Sequence, residues 1–315
     1  MAGAPAPDEH RPPHEGPSEH RPPHQGPSDH GPPDRGPDDR VLAPTRWAAR
    51  IVIPVLAAAF VILFGFPGRT RQLWAWTIAP DMTAAAMGGG YLAGAWFFAR
   101  VATTRTWHAV GHGVLATSVF ATVLLVATLV HWDRFNHDHV SFWAWLALYL
   151  ITPVLLPTLW WRNRRLDPRA PGPAEALLPT WLRAGMVVVG LAQGLTALQL
   201  ALWPGRASTW WPWALTPLTA RTLSAFLAFP AVMFTCAAVD RRWSSFRIPF
   251  EVMAVGVATY ALATLGHADS FRDPTVRATF LAALVLAFAS LVAVRLAMDR
   301  PASAPGRSTP ALPAG

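Results

Sequence analysis

Eight apolar runs, each near the length that crosses a bilayer, constrain this chain more than any other feature. They fall at 48–66, 80–100, 108–130, 141–161, 180–203, 217–239, 248–266 and 276–297. A helix needs about 20 residues to span hydrocarbon. Lipid leaves no partner for an unpaired backbone group, so runs of this length read as helices, and the alternation of a barrel strand is absent. Only 14% of the 315 residues are charged, against about 25% in soluble domains, too few to cover a water-facing surface. The expected fold is all-α: an integral membrane bundle of about eight transmembrane helices. The lipid bilayer is then the obligatory partner. The net charge of +8 comes from 26 Arg and no Lys against 18 acids. Those Arg lie between apolar runs, so the chain is not read as a nucleic-acid binder.

The ends differ from the body. Residues 1–45 hold 8 acids and 4 Arg, and the rest hold 10 acids and 22 Arg. The tail is built on a ten-residue repeat, Glu9–Ser18, then Glu19–Ser28, then a decayed copy at Asp29–Asp38. So much Pro and Gly, with few large apolar residues, reads as a disordered tail. Its histidines, His10, His14, His20, His24 and His30, suit weak metal capture, but a solvated low-complexity segment explains them with fewer assumptions. No apolar stretch of signal-peptide type lies near Met1. The single Cys236 lies in an apolar run and allows no intrachain disulfide.

The body repeats itself. Pro67-Gly-Arg69, Trp74-Ala-Trp76 and Pro80 return as Pro204-Gly-Arg206, Trp211-Pro-Trp213 and Pro217, at an offset of 137. Ala127-Thr-Leu129, His131, Asp133 and Phe135 return as Ala263-Thr-Leu265, His267, Asp269 and Phe271, at 136. Between them Arg105 and Trp107 answer to Arg242 and Trp243. The chain thus divides into a tail at 1–45, four-helix halves at 46–165 and 179–298, a Pro/Gly linker at 166–178 and a C-terminal tail at 299–315. Four helices per half give both copies the same orientation, with a pseudo-twofold axis along the membrane normal.

Arginine placement orients the bundle. With the N-terminus in the cytoplasm, sixteen Arg fall on inner segments and six on outer loops. The positive-inside rule then places both termini in the cytoplasm of a cell-membrane protein. Most of the 16 Trp fall near run ends, as an interfacial aromatic belt does. The stretches Trp211-Pro-Trp-Ala-Leu-Thr-Pro-Leu-Thr-Ala-Arg221 and His131-Trp-Asp-Arg-Phe135 resemble an uncharacterised family of polytopic membrane proteins from actinobacteria. That resemblance covers the membrane region and implies no activity or catalytic residue.

The repeated polar residues form the candidate outer-face site: Arg69, Arg206, His131, Asp133, His267 and Asp269. Paired guanidinium groups suit an anion or lipid headgroup, although an interfacial Arg after a Pro-Gly turn also arises by snorkelling. His131, Asp133, His137, Asp138 and His139 crowd one loop and suit a metal ion, but only the first two are repeated, and helix capping explains the rest. His108 and His112 share one helix face. Haem or quinone contact is one reading, and interfacial histidine is the simpler one. Asp81 and Glu251 each follow a proline that reads as a helix start, where a carboxylate meets the positive end of the helix dipole. Gly88-Gly-Gly90 and Gly94 mark a close-packing face, and Pro153 and Pro157 a kink. No cofactor is expected. Three function classes stay open: a transporter-like protein for a small molecule or lipid, a noncatalytic scaffold or sensor, and a metal- or haem-dependent membrane enzyme.

Overall fold

A computed structural model of the chain describes Gly3, residues 38–173 and residues 175–300. The ten-residue repeats with their histidines, and everything after 300, lie outside the described residues. Residues 38–45, expected to belong to the tail, are placed. Val41 is buried, and its N–H donates to the Arg105 carbonyl.

Ten helices make up most of the described residues. The first half holds α1 (Ala43–Gly65), the short α2 (Thr70–Leu73), α3 (Asp81–Thr103), α4 (His108–Val130) and α5 (Val140–Arg164). The second holds α6 (Thr180–Leu202), the short α7 (Pro204–Trp210), α8 (Pro217–Thr235), α9 (Ser244–Gly266) and α10 (Pro274–Met298). Lengths repeat along with order. α1 and α6 have 23 residues each, as do α4 and α9, while α5 and α10 have 25. α8 is shorter than α3, at 19 residues against 23, because its last turn tightens into the 3-10 turn Cys236–Ala238.

Seven of the eight long helices are both long and apolar enough to cross a membrane. The eighth, α3, is equally long but rich in glycine and alanine. Its position explains this composition. It is packed among α1, α9, α8 and α4, so it needs small residues for close approach more than it needs apolar bulk facing lipid. A Cβ on Gly88 would come within 2.7 Å of the Phe64 backbone nitrogen in α1, and one on Gly90 within 2.3 Å of the Phe226 ring in α8. A side chain on Gly88 would push α1 away, and one on Gly90 would displace the Phe226 ring.

The two halves interlock. Within each half the first long helix packs along the second (α1 on α3, α6 on α8), and the third along the fourth (α4 on α5, α9 on α10). The second and third helices of one half scarcely touch each other. Instead α4 packs on α8 and α3 on α9, with α4 also against α9. These four helices form a shared core, and α1, α5, α6 and α10 lie outside it. Ile51, Val154, Leu191 and Leu286 are exposed on those outer helices. Such a surface is stable in hydrocarbon and not in water. The chain is a polytopic membrane protein.

The outer helices are not equivalent. α5 buries residues from Phe142 to Asn163, whereas α10 buries none. Asn163 ties α5 to the start of α1. Its amide donates to Thr45 Oγ1 at 2.7 Å, and its carbonyl oxygen accepts from the Leu42 N–H at 2.9 Å. The matching position in α10 is Ala297, which cannot form such a latch.

One expected helix start is corrected. Asp81 does open α3 just after Pro80. α9, however, begins at Ser244, so Pro249 lies inside it and Glu251 sits two turns from its start. Glu251 is therefore not a first-turn acid. It accepts from Arg295 at 2.8 Å and faces Arg100 at 3.3 Å.

Candidate functional site

The two repeated blocks meet in each half. At the end of the bundle where α1 stops and α10 begins, the Trp-x-Trp segment lies against the turn that carries His-x-Asp-x-Phe. Trp76 packs edge-on against Phe135, with ring centroids 5.0 Å apart, and Trp213 against Phe271 at 5.5 Å. The backbone repeats the contact. Asn136 N–H donates to the Ala75 carbonyl at 2.7 Å, and Arg272 N–H to the Pro212 carbonyl at 3.2 Å. Sequence reading separated these blocks by a helix hairpin, and folding closes them into a clasp.

The polar members of the blocks face outward from this clasp. Arg69 and Arg206 are exposed, and Arg69 stacks loosely over Phe66. Asp133 and Asp269 are exposed as well, and Asp133 faces its neighbour Arg134 at 3.6 Å. His131 alone makes a long-range contact. Its Nε2 accepts from Arg221 Nη1 at 2.8 Å, and Arg221 Nε donates to the Ala201 carbonyl at 3.0 Å. Burial and the nearby guanidinium hold the His131 pKa below its ordinary value. The position matching Arg221 in the first half is Ala85, so His267 has no equivalent partner.

The crowded histidine loop serves packing and capping. The His137 ring lies against Trp132 and Phe142, and His139 Nδ1 accepts from the Ser141 N–H at the start of α5. Among the described residues no three His, Cys, Asp or Glu are placed to hold a metal ion.

The end where α1 begins and α10 stops is more ionic. Arg242 is gripped by two carboxylates: Nη1 donates to Asp167 at 2.7 Å, and Nη2 donates to Asp240 at 2.8 Å. His112 Nε2 lies 2.9 Å from the same Asp240 oxygen that Arg242 Nη2 reaches. Burial alone would raise the pKa of both carboxylates. Hydrogen bonds from His112 and Arg242 to Asp240, and from Arg242 to Asp167, overcome it and hold both below the usual range. His108 engages a different carboxylate, Asp39. The two histidines of α4 thus engage separate carboxylates. Alignment of the halves also shifts by one residue from the sequence reading. The bridges Arg40 with Thr106 and Leu177 with Arg242 make Thr106 the counterpart of Arg242.

A large concave feature lies between the halves. A cavity of about 730 Å³ runs from Trp211 and Trp213, past Tyr91, Tyr149 and Tyr260, to Leu182 and Val294. Both halves supply matching positions to its wall, such as Val52 and Val189, Tyr91 and Leu227, and Leu156 and Ser290. Its polar groups do not match across the halves. The chain has 3 Tyr, and all of them line this one cavity. Tyr91 and Tyr149 hydroxyls lie 3.1 Å apart. Sequence reading passed over them. The available signal was the confinement of so rare a residue to three apolar runs. Comparison with family models, curated proteins and solved structures gave no match.

Proposed function

We propose that the protein binds a lipid with a long apolar chain in the cavity between its halves and carries it as a transporter would. The observation that supports this is the cavity wall beside α10. Val189 and Leu286 line the cavity, yet they are 46% and 69% exposed. A helix that buries none of its residues forms a wall that a lipid can pass from the side. Ligand sites of this size are mostly apolar with few polar groups. In this reading the clasped end faces outward and the termini face the cytoplasm, as the arginine distribution favours. The exposed Arg69 and Arg206 then stand at headgroup level near the outer mouth.

Gly185 supplies the test. It lines the cavity, and a Cβ there meets nothing within 4 Å. Gly185→Leu therefore fills space without forcing helices apart. Native mass spectrometry of protein purified in mild detergent is expected to show bound lipid in the wild type and little in Gly185→Leu, at equal thermal stability. Equal lipid occupancy in both would overturn the reading.

A second reading, a noncatalytic scaffold, is favoured by the clasp. Closing helix ends accounts for the repeated Trp and Phe residues without any ligand. Absence of bound lipid from both proteins would leave this reading standing.

A further inference from the structure

The cavity's chemistry narrows what it would hold. We infer that its ligand is an uncharged lipid whose hydroxyl or carbonyl oxygen is bound by the Tyr91–Tyr149 hydroxyl pair near mid-membrane. The inference rests on the cavity being the binding site.

Three observations carry it. First, among the described residues no Asp, Glu, His or Arg lines the cavity. A phosphate or carboxylate drawn in would be an unpaired charge in an apolar surround, which costs far more than burial of its chain returns.

Second, the hydroxyl pair has a proton to spare. Tyr91 and Tyr149 are each 3% exposed, and their oxygens lie 3.1 Å apart. A bond between two hydroxyls uses one proton, so the accepting hydroxyl keeps a donor of its own. No other side-chain bond from either group occurs among the described residues. A ligand oxygen would pair that donor. The Tyr260 hydroxyl is close by, 3.4 Å from where a Cβ on Gly90 would stand.

Third, depth matters. Tyr91 and Tyr149 sit near the midpoints of α3 and α5. Ionic headgroups stay at the interface, whereas an uncharged lipid can bring its oxygen to that depth. The pair has no counterpart across the pseudo-axis, where Leu227 and Ala283 stand. A ligand would therefore be held in one orientation.

The test uses three lipids: dioleoylglycerol, dioleoyl phosphatidate with the same chains and a charge, and squalene with no oxygen. Equilibrium binding of each radiolabelled lipid is measured on the full-length protein in detergent. Dioleoylglycerol is expected to bind about five- to tenfold more tightly than squalene, the scale of one buried hydrogen bond, and more tightly than phosphatidate by a larger factor, because the phosphatidate charge would be unpaired. Tyr91→Phe/Tyr149→Phe keeps both rings and should bring dioleoylglycerol down to the level of squalene without altering squalene. Phosphatidate binding as tightly as dioleoylglycerol, or a double variant that keeps wild-type affinity, would overturn the inference. If all three lipids bind alike and Gly185→Leu blocks them all, the cavity remains the site and only this inference fails. Binding that Gly185→Leu does not affect, or no binding at all, removes both.

Discussion

The indole N–H of Trp213 donates to the Thr83 hydroxyl at 2.8 Å, across the boundary between the two halves. Both residues are buried. Trp76, the counterpart of Trp213, has no such acceptor. Thr219 spends its hydroxyl on the capping box with Thr216, and the Trp76 N–H has no partner among the described residues. Thr83→Val keeps the shape of the site but leaves the Trp213 donor unpaired. It is expected to cost about 1–3 kcal/mol, read as a fall in thermal midpoint, and Thr83→Ser should recover most of it.

The clasp predicts a sharp contrast within each repeated block. Phe135→Ala and Phe271→Ala should each cost about 3–5 kcal/mol, as truncation of a buried aromatic does. Arg69→Ala and Arg206→Ala, both exposed, should stay within about 0.5 kcal/mol of wild type. Unfolding of the four variants in the same detergent measures the difference. Arginine variants as damaging as the phenylalanine variants would mean that the guanidinium groups help hold the clasp.

Arg242 holds two carboxylates that would otherwise be buried without a partner. Arg242→Met should cost about 3–5 kcal/mol, and Asp167→Asn/Asp240→Asn in the same chain should restore part of the loss. The pH dependence has a definite sign. Both carboxylates have folded-state pKa values below the unfolded value of about 3.9, so the unfolded chain binds more protons in acid. Their contribution is complete above about pH 4 and is lost as pH falls further. Acid unfolding of Arg242→Met should show a weaker dependence over that range than the wild type.

His131 acts at milder pH. Its folded-state pKa is lowered, so protonation favours the unfolded chain. The stability it contributes is complete above about pH 6.5 and falls as pH drops below that value. The thermal midpoint of wild type minus that of His131→Gln should decline from pH 7 to 5. A flat difference would show that the Arg221 contact does not govern the titration of this ring.

Orientation is tested by single cysteines in a Cys236→Ala background. Ala170 and Asp269 are both exposed, at opposite ends of the bundle. A membrane-impermeant maleimide applied to intact cells should label Asp269→Cys and leave Ala170→Cys unlabelled. The reverse pattern would invert the proposed orientation.

Most of the helical order could be read from the sequence because lipid imposes one rule on every spanning segment. The start of α9 could not. Pro249 looked like a first residue, but membrane helices tolerate internal proline, and α1, α5 and α8 carry Pro54, Pro153, Pro157 and Pro230 inside them too. The repeated motifs were visible, while their meeting was not, since nothing in a linear pattern tells Trp76 that Phe135 will return to it. The cavity was hidden for a related reason. Its wall depends on which helices of one half face the other, and that follows from close approaches at residues such as Gly89 and Gly90. The pairing of Arg46 with Arg183 was legible but unnoticed. Each donates to carbonyls at the end of the second long helix of its half, Thr104 for one and Ala237 and Ala238 for the other.

The exchange of partners between halves has a consequence for synthesis. α3 ends at Thr103, and its principal partner in the other half, α9, starts at Ser244. At about 5–20 residues per second, the ribosome needs on the order of ten seconds or more to cover that interval. During that time Gly89 and Gly90 of α3, which come to meet Thr259 of α9 and Phe226 of α8, are in the bilayer without those partners. The first half thus waits on the second for its final packing. A chain truncated before α8 would carry every residue of one repeat and still lack the surface that repeat was shaped to meet.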